Sequence, residues 1–373
     1  MRNTVALFIA LTAGLVLSVP CHGSDFRPVE AIANRAVQEK LFPGATIAVI
    51  HHGRTVFHQA FGRQTYDASS PATDTTTIYD IASLTKAVVT TGIVMQLVER
   101  DSLDLDAPVG RYLPGFSVRG KERVTVRNLM QHNSGLRAHT NFSKTCSTPE
   151  QLFRAIEADT LLSVPGTTTL YSDLGFITLG RIVETITRHS LEANFRQRFA
   201  VPLGMSRTCF NPPASLLAGI APTEQDTAWH LGRKRPLVHD RNAALLRGIA
   251  GHAGVFSTTG DLAIYVNMLM QGGISNGKRY FKPETVRQFT SRSGNAPRAL
   301  GWDLRSPGSG SSAGNLFSLS SWGHLGFTGT SIWVDPEKEL AVIMLSNRVY
   351  PSSENIGIRK FRPLLHDTVV RCL

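Results

Sequence analysis

The sequence predicts an α/β protein in which both chain ends form one antiparallel sheet, flanked by helices, with a mainly helical lobe inserted between them. Three observations carry this. Residues 45–64 read as two strands around a His-Gly-Arg turn. Residues 331–349 repeat that shape, with Asp335-Pro336 in the turn. The stretch between them is dominated by helical patterning and contains no linker that would separate independent domains.

The elements follow in order. Ala82 to Arg100 is a strong helix, with Val89, Ile93 and Leu97 on one face. Thr148-Pro149-Glu150-Gln151 is a capping-box start for a helix carrying Leu152, Phe153 and Ile156. Leu174 to Thr187 is a further helix, preceded by Pro165-Gly166 and a run of threonines, and Asp261 to Met270 a shorter one. Ser306 to Ser321 reads as a flexible Ser/Gly loop. No internal repeat is visible.

With 373 residues, 42% hydrophobic and 18% charged, the chain can bury a full core and is neither disordered nor collagen-like. The N-terminus has the pattern of an export signal. Arg2 supplies a positive start, Val5 to Val19 is apolar but short for a membrane span, and Pro20 breaks the run. Small residues at Cys21 and Gly23 suit cleavage after Gly23; a lipidated Cys21 and a retained anchor are the competing readings. The expectation is therefore a signal peptide over 1–23 and one two-lobed domain over 24–373, periplasmic or secreted. Cys146, Cys209 and Cys372 would remain. Export permits one disulfide, with Cys146 and Cys209 as its expected partners. The net charge of +11 raises nucleic acid or an anionic polymer as a partner. Export and the absence of an aromatic/basic repeat argue against nucleic acid, and leave contact with an anionic cell envelope. Arg233-Lys234-Arg235 reads as a solvated turn.

Chemistry concentrates in a few short motifs. Ser83-Leu84-Thr85-Lys86 is a Ser-x-x-Lys motif at a predicted helix start. Residues i and i+3 share a helix face, so the lysine amine can reach the serine hydroxyl. A serine hydroxyl is a weak nucleophile until a nearby base takes its proton, and a helix N-terminus favours developing negative charge. The motif alone is weak, and it recurs at Ser275-Asn276-Gly277-Lys278, where Asn-Gly signals a turn rather than a helix. Gly310-Ser311-Ser312-Ala313-Gly314 matches G-x-S-x-G but lacks the flanking strand and helix that a nucleophile elbow requires. Tyr171-Ser172-Asp173 precedes a helix; Ser172 or Asp173 suits an N-cap, and a tyrosine there can serve in proton transfer if a cation lowers its pKa. Gly323-His324-Leu325-Gly326-Phe327-Thr328-Gly329 leads into the strand Ser331 to Val334, where glycine permits close backbone approach. His51, His52 and His58 read as strand or turn residues, and no His or Cys spacing indicates zinc. His132 and His252 either line a site or make a structural hydrogen bond.

The ordered set Ser-x-x-Lys, Tyr-Ser-Asp and His-Leu-Gly resembles the serine β-lactamase and penicillin-binding protein superfamily, on the class C β-lactamase and esterase side. His132-Asn133-Ser134-Gly135-Leu136, Gly251 to Thr258, Asn276-Gly277-Lys278 and Leu300-Gly301-Trp302 fit the same order, so the resemblance covers nearly the whole chain after the signal. It implies a serine β-lactamase-like fold and an acyl-enzyme mechanism without cofactor or metal. Ser83 would be the nucleophile, Lys86 its base or the partner of Tyr171, and Tyr171 the proton donor to the leaving group. The backbone N–H groups of Ser83 and Phe327 would form the oxyanion hole, each typically worth about 3 kcal/mol in the transition state. Asp173, His324 and Gly326 would contact substrate.

Two departures weigh on the substrate. Class C enzymes have Tyr-x-Asn where Asp173 stands here, and Lys-Thr-Gly where His324-Leu325-Gly326 stands. A histidine of ordinary pKa is charged only part of the time near neutral pH, and Leu325 removes a hydroxyl. Histidine at this position is similar to esterase-like and peptidase-like relatives such as the periplasmic penicillin-binding protein 4B type. The expected activity is an exported serine hydrolase acting on an ester or a D-amino-acid peptide of the cell wall. The alternatives are a β-lactamase with an altered third motif and a penicillin- or peptidoglycan-binding protein without turnover. Oligomeric state is not legible.

Overall fold

The computed structural model describes residues 24–225, 238–294, 296–308 and 310–373. The expected signal peptide and Arg233-Lys234-Arg235 lie outside the described residues. Strands β1 (Gly44–His51), β2 (Arg54–Gly62), β3 (Tyr79–Asp80), β4 (Cys209–Phe210), β5 (Val255–Ser257), β6 (Ile274–Ser275), β7 (Lys278–Arg279), β8 (Asp303–Leu304), β9 (Trp322–Leu325), β10 (Ser331–Asp335) and β11 (Leu340–Ser346) form three sheets. The large one has the order β2-β1-β11-β10-β9-β8. Within it β1 pairs antiparallel with β11, from Ala45 opposite Ser346 to His51 opposite Leu340. The two chain ends thus close one sheet, as the two hairpin patterns predict.

Both faces of this sheet are covered. Ala45, Ile47, Val49, Val342 and Met344 pack with the terminal helices Arg27–Gln38 and Ile358–Cys372 through Val29, Ala33, Leu365 and Val369. Ala48, Ile50, Ala341 and Ile343 belong to the larger core, with the helix Thr259–Met270. Burial on both faces explains why β1 reads as a continuous apolar run rather than an alternating one. The inserted lobe carries the helices Pro149–Ala158, started by the Thr148/Gln151 capping box, and Asp173–Thr187, capped by the Ser172 hydroxyl.

Three details differ from expectation. The helix expected from Ala82 begins after Ser83, and its Lys86–Thr91 segment is π-helical before Gly92–Glu99 continues as α-helix. Ala82 holds a positive φ of 47°, which turns the chain sharply out of β3. Cys146, Cys209 and Cys372 are all free thiols. Cys146 follows the short turn Phe142–Lys144, whereas Cys209 is held on β4 by pairing with β5, so no disulfide joins them. The Ser/Gly stretch is anchored rather than loose: Ala313 is buried, and His366 of the C-terminal helix bonds the Ser312 carbonyl through Nδ1 at 2.7 Å. No described helix is long and apolar enough to cross a membrane.

Candidate active site

Ser83 sits in the turn between β3 and the π-helical segment. Consecutive i to i+3 hydrogen bonds, Thr85 N to Ala82 O and Lys86 N to Ser83 O, wind this turn tightly. Tight winding stacks residue i+3 directly over residue i. The Lys86 ammonium is fully buried and donates to three acceptors: Ser83 Oγ at 2.9 Å, Asp173 Oδ1 at 2.7 Å and the His252 carbonyl at 3.1 Å. Three N–H groups meet three acceptors, the arrangement a charged ammonium needs when it leaves water.

The glycine-rich stretch that supplies the His252 carbonyl is pressed between two helices. A Cβ on Gly251 would lie 2.1 Å from the Phe176 carbonyl oxygen, so only glycine fits. Thr90 Oγ1 donates to the Gly251 carbonyl at 2.7 Å and locks the contact. His252 Nε2 pairs with Asp240 at 2.8 Å.

Tyr171 is held by its neighbours in sequence. Leu170 N donates to the His132 carbonyl, and Ser172 N donates to His132 Nδ1 at 2.9 Å. The His132 ring stacks on Tyr171 with centroids 4.5 Å apart. Burial, with Arg298, Lys86 and His324 nearby, keeps the His132 pKa well below its ordinary value, so it is a neutral support beneath Tyr171. Lys86 Nζ lies 4.8 Å from the Tyr171 ring centroid. The Arg298 guanidinium, ion-paired with Asp303, lies 5.2 Å from it.

Burial is the largest influence on each member of the centre, and it acts differently on each. It pulls Lys86 down, but the Asp173 carboxylate beside it outweighs it and holds the lysine above its ordinary value. It pushes Asp173 up, but Lys86 and His139 outweigh it and hold the carboxyl well below the usual carboxylate range. It raises Tyr171, and the nearby Lys86 charge offsets this only in part. A cation does stand beside the tyrosine, as the sequence reading asked, but desolvation outweighs its lowering effect. The resting centre is an ammonium–carboxylate pair beside a neutral phenol.

The turn after β9 brings Phe327 to Ser83. Thr328 Oγ1 donates to the Asp80 carbonyl at 2.7 Å and Thr330 Oγ1 to the Ile81 carbonyl at 3.1 Å. A Cβ on Gly326 would fall 2.5 Å from the same Ile81 oxygen. Neither the Ser83 nor the Phe327 amide donates a hydrogen bond among the described residues. Two free amides on residues that line one cavity with a serine hydroxyl suit the oxyanion of acyl transfer.

Ser83, Tyr171, Asp173 and Phe327 line one cavity of about 460 Å³. His324 has a different place: it is 1% exposed, with Nδ1 against the Leu325 carbonyl at 2.8 Å. Burial pushes its pKa down to about 4, so near neutral pH it is uncharged and cannot act as a partial cation for a substrate carboxylate. Gly326 is buried, and its carbonyl accepts from Arg362. Its part is to let the turn approach Ile81. The other serine motifs lie elsewhere. Ser275 and Lys278 face each other across the β6–β7 hairpin.

The cavity also holds residues that no motif indicated: His139, Asp240, Glu224 and His239. His139 Nδ1 meets Asp173 Oδ2 at 3.2 Å. His239 Nε2 meets Glu224 at 2.9 Å, and its ring stacks on Phe327. Ligand atoms of His139, Asp173 and Asp240 lie within 4.8 Å of one another, but Asp173 is already engaged by Lys86 and Asp240 by His252. The signal for His139 is its position seven residues beyond His132, which carries no recognisable spacing rule.

Comparison with known proteins agrees with this architecture. Residues 29–364 match the sequence profile of the Beta-lactamase family. A protein of Escherichia coli O157:H7, provisionally named D-alanyl-D-alanine carboxypeptidase, is 31% identical over 348 residues, covering 82% of this chain and 79% of its own. Two solved structures share the fold at low identity. The penicillin-binding protein homologue from Caulobacter crescentus has a TM-score of 0.73 at 19% identity, covering 93% of this chain and 97% of that one. EstCE1, a hydrolase with promiscuous acyltransferase activity, has a TM-score of 0.73 at 22% identity, covering 91% and 97%.

Proposed function

The chain belongs to the Beta-lactamase family and is a serine hydrolase, and from that premise we propose that it works through an acyl-enzyme on Ser83, after export, on an ester or a D-amino-acid peptide of the cell wall. The observation that carries this reading is the buried Lys86 ammonium joining Ser83 Oγ to Asp173, two residues that line one cavity. Ser83 attacks the substrate carbonyl. The free amides of Ser83 and Phe327 receive the oxyanion. Lys86 and Tyr171 carry the proton from Ser83 toward the leaving group. The neutral, buried His324 supplies no fixed charge for a β-lactam carboxylate, which weighs against efficient β-lactamase activity. The name carried by the Escherichia coli relative favours a D-alanyl peptide among the substrates.

A panel of a short p-nitrophenyl ester, a D-Ala-D-Ala peptide and a chromogenic cephalosporin tests this. Turnover of the ester or the peptide, with the cephalosporin only slowly acylating Ser83, is expected. Efficient cephalosporin turnover alone would reassign the protein as a β-lactamase, and a Ser83 adduct with no turnover of any substrate as a binding protein. Export predicts a mature N-terminus at Ser24 in protein recovered outside the cytoplasm.

The charge state of the centre makes a separate prediction. A base must lose its proton before it can accept one from Ser83. Asp173 holds Lys86 protonated and Tyr171 is raised, so kcat/KM for the ester should climb with pH into the alkaline range. In Asp173→Asn the carboxylate is gone and burial dominates, so the Lys86 pKa falls and more free amine is present at neutral pH. The rise of kcat/KM should therefore move to lower pH. An unchanged profile would remove Lys86 from the proton path.

A further inference from the structure

We propose that His139 is the general base that activates the water hydrolysing the Ser83 acyl-enzyme. The proposal rests on the Ser83 acyl-enzyme reading and names the group that completes its second half. Hydrolysis of an ester-linked acyl group near neutral pH needs a proton acceptor that water can reach. The two groups nearest the serine are poorly suited. Lys86 is fully buried, with its ammonium bonded to three acceptors, and Tyr171 is a neutral phenol.

His139 meets the requirements. Its side chain is 49% exposed and lines the same cavity as Ser83. Nδ1 lies 3.2 Å from Asp173 Oδ2, while the other oxygen of that carboxylate holds Lys86. With Nδ1–H donating to the carboxylate, Nε2 keeps the lone pair that can take a proton. The backbone beside the ring is pinned on the same element: Asp173 N donates to the Ala138 carbonyl at 2.8 Å, and Ser172 Oγ to the Arg137 carbonyl at 2.6 Å. His239, the other histidine of the cavity, has its Nε2 bound to Glu224. The cavity of about 460 Å³ has room for an acyl group and a water, which takes about 30 Å³.

The step balances without a further reactant. The water oxygen attacks the acyl carbon while one water proton passes to His139 Nε2. The tetrahedral intermediate, its oxyanion on the Ser83 and Phe327 amides, then collapses. The bond from the acyl carbon to Ser83 Oγ breaks, and the serine oxygen takes a proton from the Lys86–Tyr171 pair. His139 returns its proton through solvent to that pair, and the acid leaves.

The groups facing His139 set its titration. Asp173 and Asp240 favour its protonated form, and burial and Lys86 oppose it, while Glu224, His239 and Arg241 line the same cavity. The balance is a pKa above the ordinary histidine value, with the Asp173 hydrogen bond as the largest cause. A base must be unprotonated to act, so kcat should fall on the acid side of a pH above about 6.5.

The test is pre-steady-state and steady-state hydrolysis of a p-nitrophenyl ester by wild type and His139→Ala, with mass spectrometry of quenched samples. The variant should keep its burst and its kcat/KM, while kcat and KM both fall by about 100-fold and the Ser83 adduct accumulates. The acid limb of kcat should disappear, and added imidazole should restore turnover. The inference is overturned if wild type forms the Ser83 adduct and the variant deacylates at the wild-type rate with the same acid limb. It is also overturned if kcat/KM falls with kcat and imidazole restores nothing, the pattern of a merely structural role. If wild type forms no Ser83 adduct, the acyl-enzyme reading fails first and takes this inference with it.

Discussion

Ser83→Ala is expected to abolish turnover, with a loss of about 10⁴-fold or more in kcat, the scale seen when a catalytic nucleophile is removed. The argument is geometric. Ser83 Oγ is bonded to an ammonium that is itself fixed by Asp173 and the His252 carbonyl, and its own amide is free for the oxyanion. No other serine of the competing motifs has these neighbours. Ser312 packs against the C-terminal helix, where His366 bonds its carbonyl, and Ser275 lies in a two-residue hairpin. Ser312→Ala and Ser275→Ala should therefore retain wild-type kcat, and a labelled fluorophosphonate should add mass at Ser83 in both. Retained hydrolysis in Ser83→Ala would place the nucleophile elsewhere and remove the basis of the mechanism.

Gly326→Ala should cost about 100-fold in kcat, close to the loss of one oxyanion donor. The added Cβ would lie 1.9 Å from Thr330 Oγ1 and 2.5 Å from the Ile81 carbonyl oxygen. Both belong to the contact that holds the Phe327 turn against the Ser83 turn, so relief of the clash moves the Phe327 amide away. Thr328→Ala tests the same contact more gently. It removes the hydrogen bond to the Asp80 carbonyl without adding volume and should give a smaller loss. Thermal unfolding of both variants separates a displaced amide from a damaged fold. A folded Gly326→Ala enzyme with wild-type kcat would exclude Phe327 from the oxyanion hole.

Local rules account for the parts of the molecule that sequence made legible. The Thr148 capping box, the Ser172 cap, the strand pairs near both ends and the Asn276-Gly277 turn depend on residues within a few positions of one another. The reach of Lys86 to Ser83 is of the same kind. The terminal helices Arg27–Gln38 and Ile358–Cys372 were less legible, because what identifies them is the sheet face they cover.

The charge states were not local at all. Asp173 is 87 positions from Lys86 and 34 from His139, yet it sets the protonation of both. His324 looks like a partial cation in sequence, but the packing that buries it makes it neutral. The sequence by itself determined the sheet closed by the two chain ends, the family and the serine that faces its lysine. Only the tertiary structure decided that the lysine rests as an ion pair, that the tyrosine rests neutral, and that His139 shares the cavity. The reason is that hydrogen-bonded turns and helical spacing are fixed within a few residues. Desolvation and Coulomb energies depend on distances between residues that only the folded chain brings together.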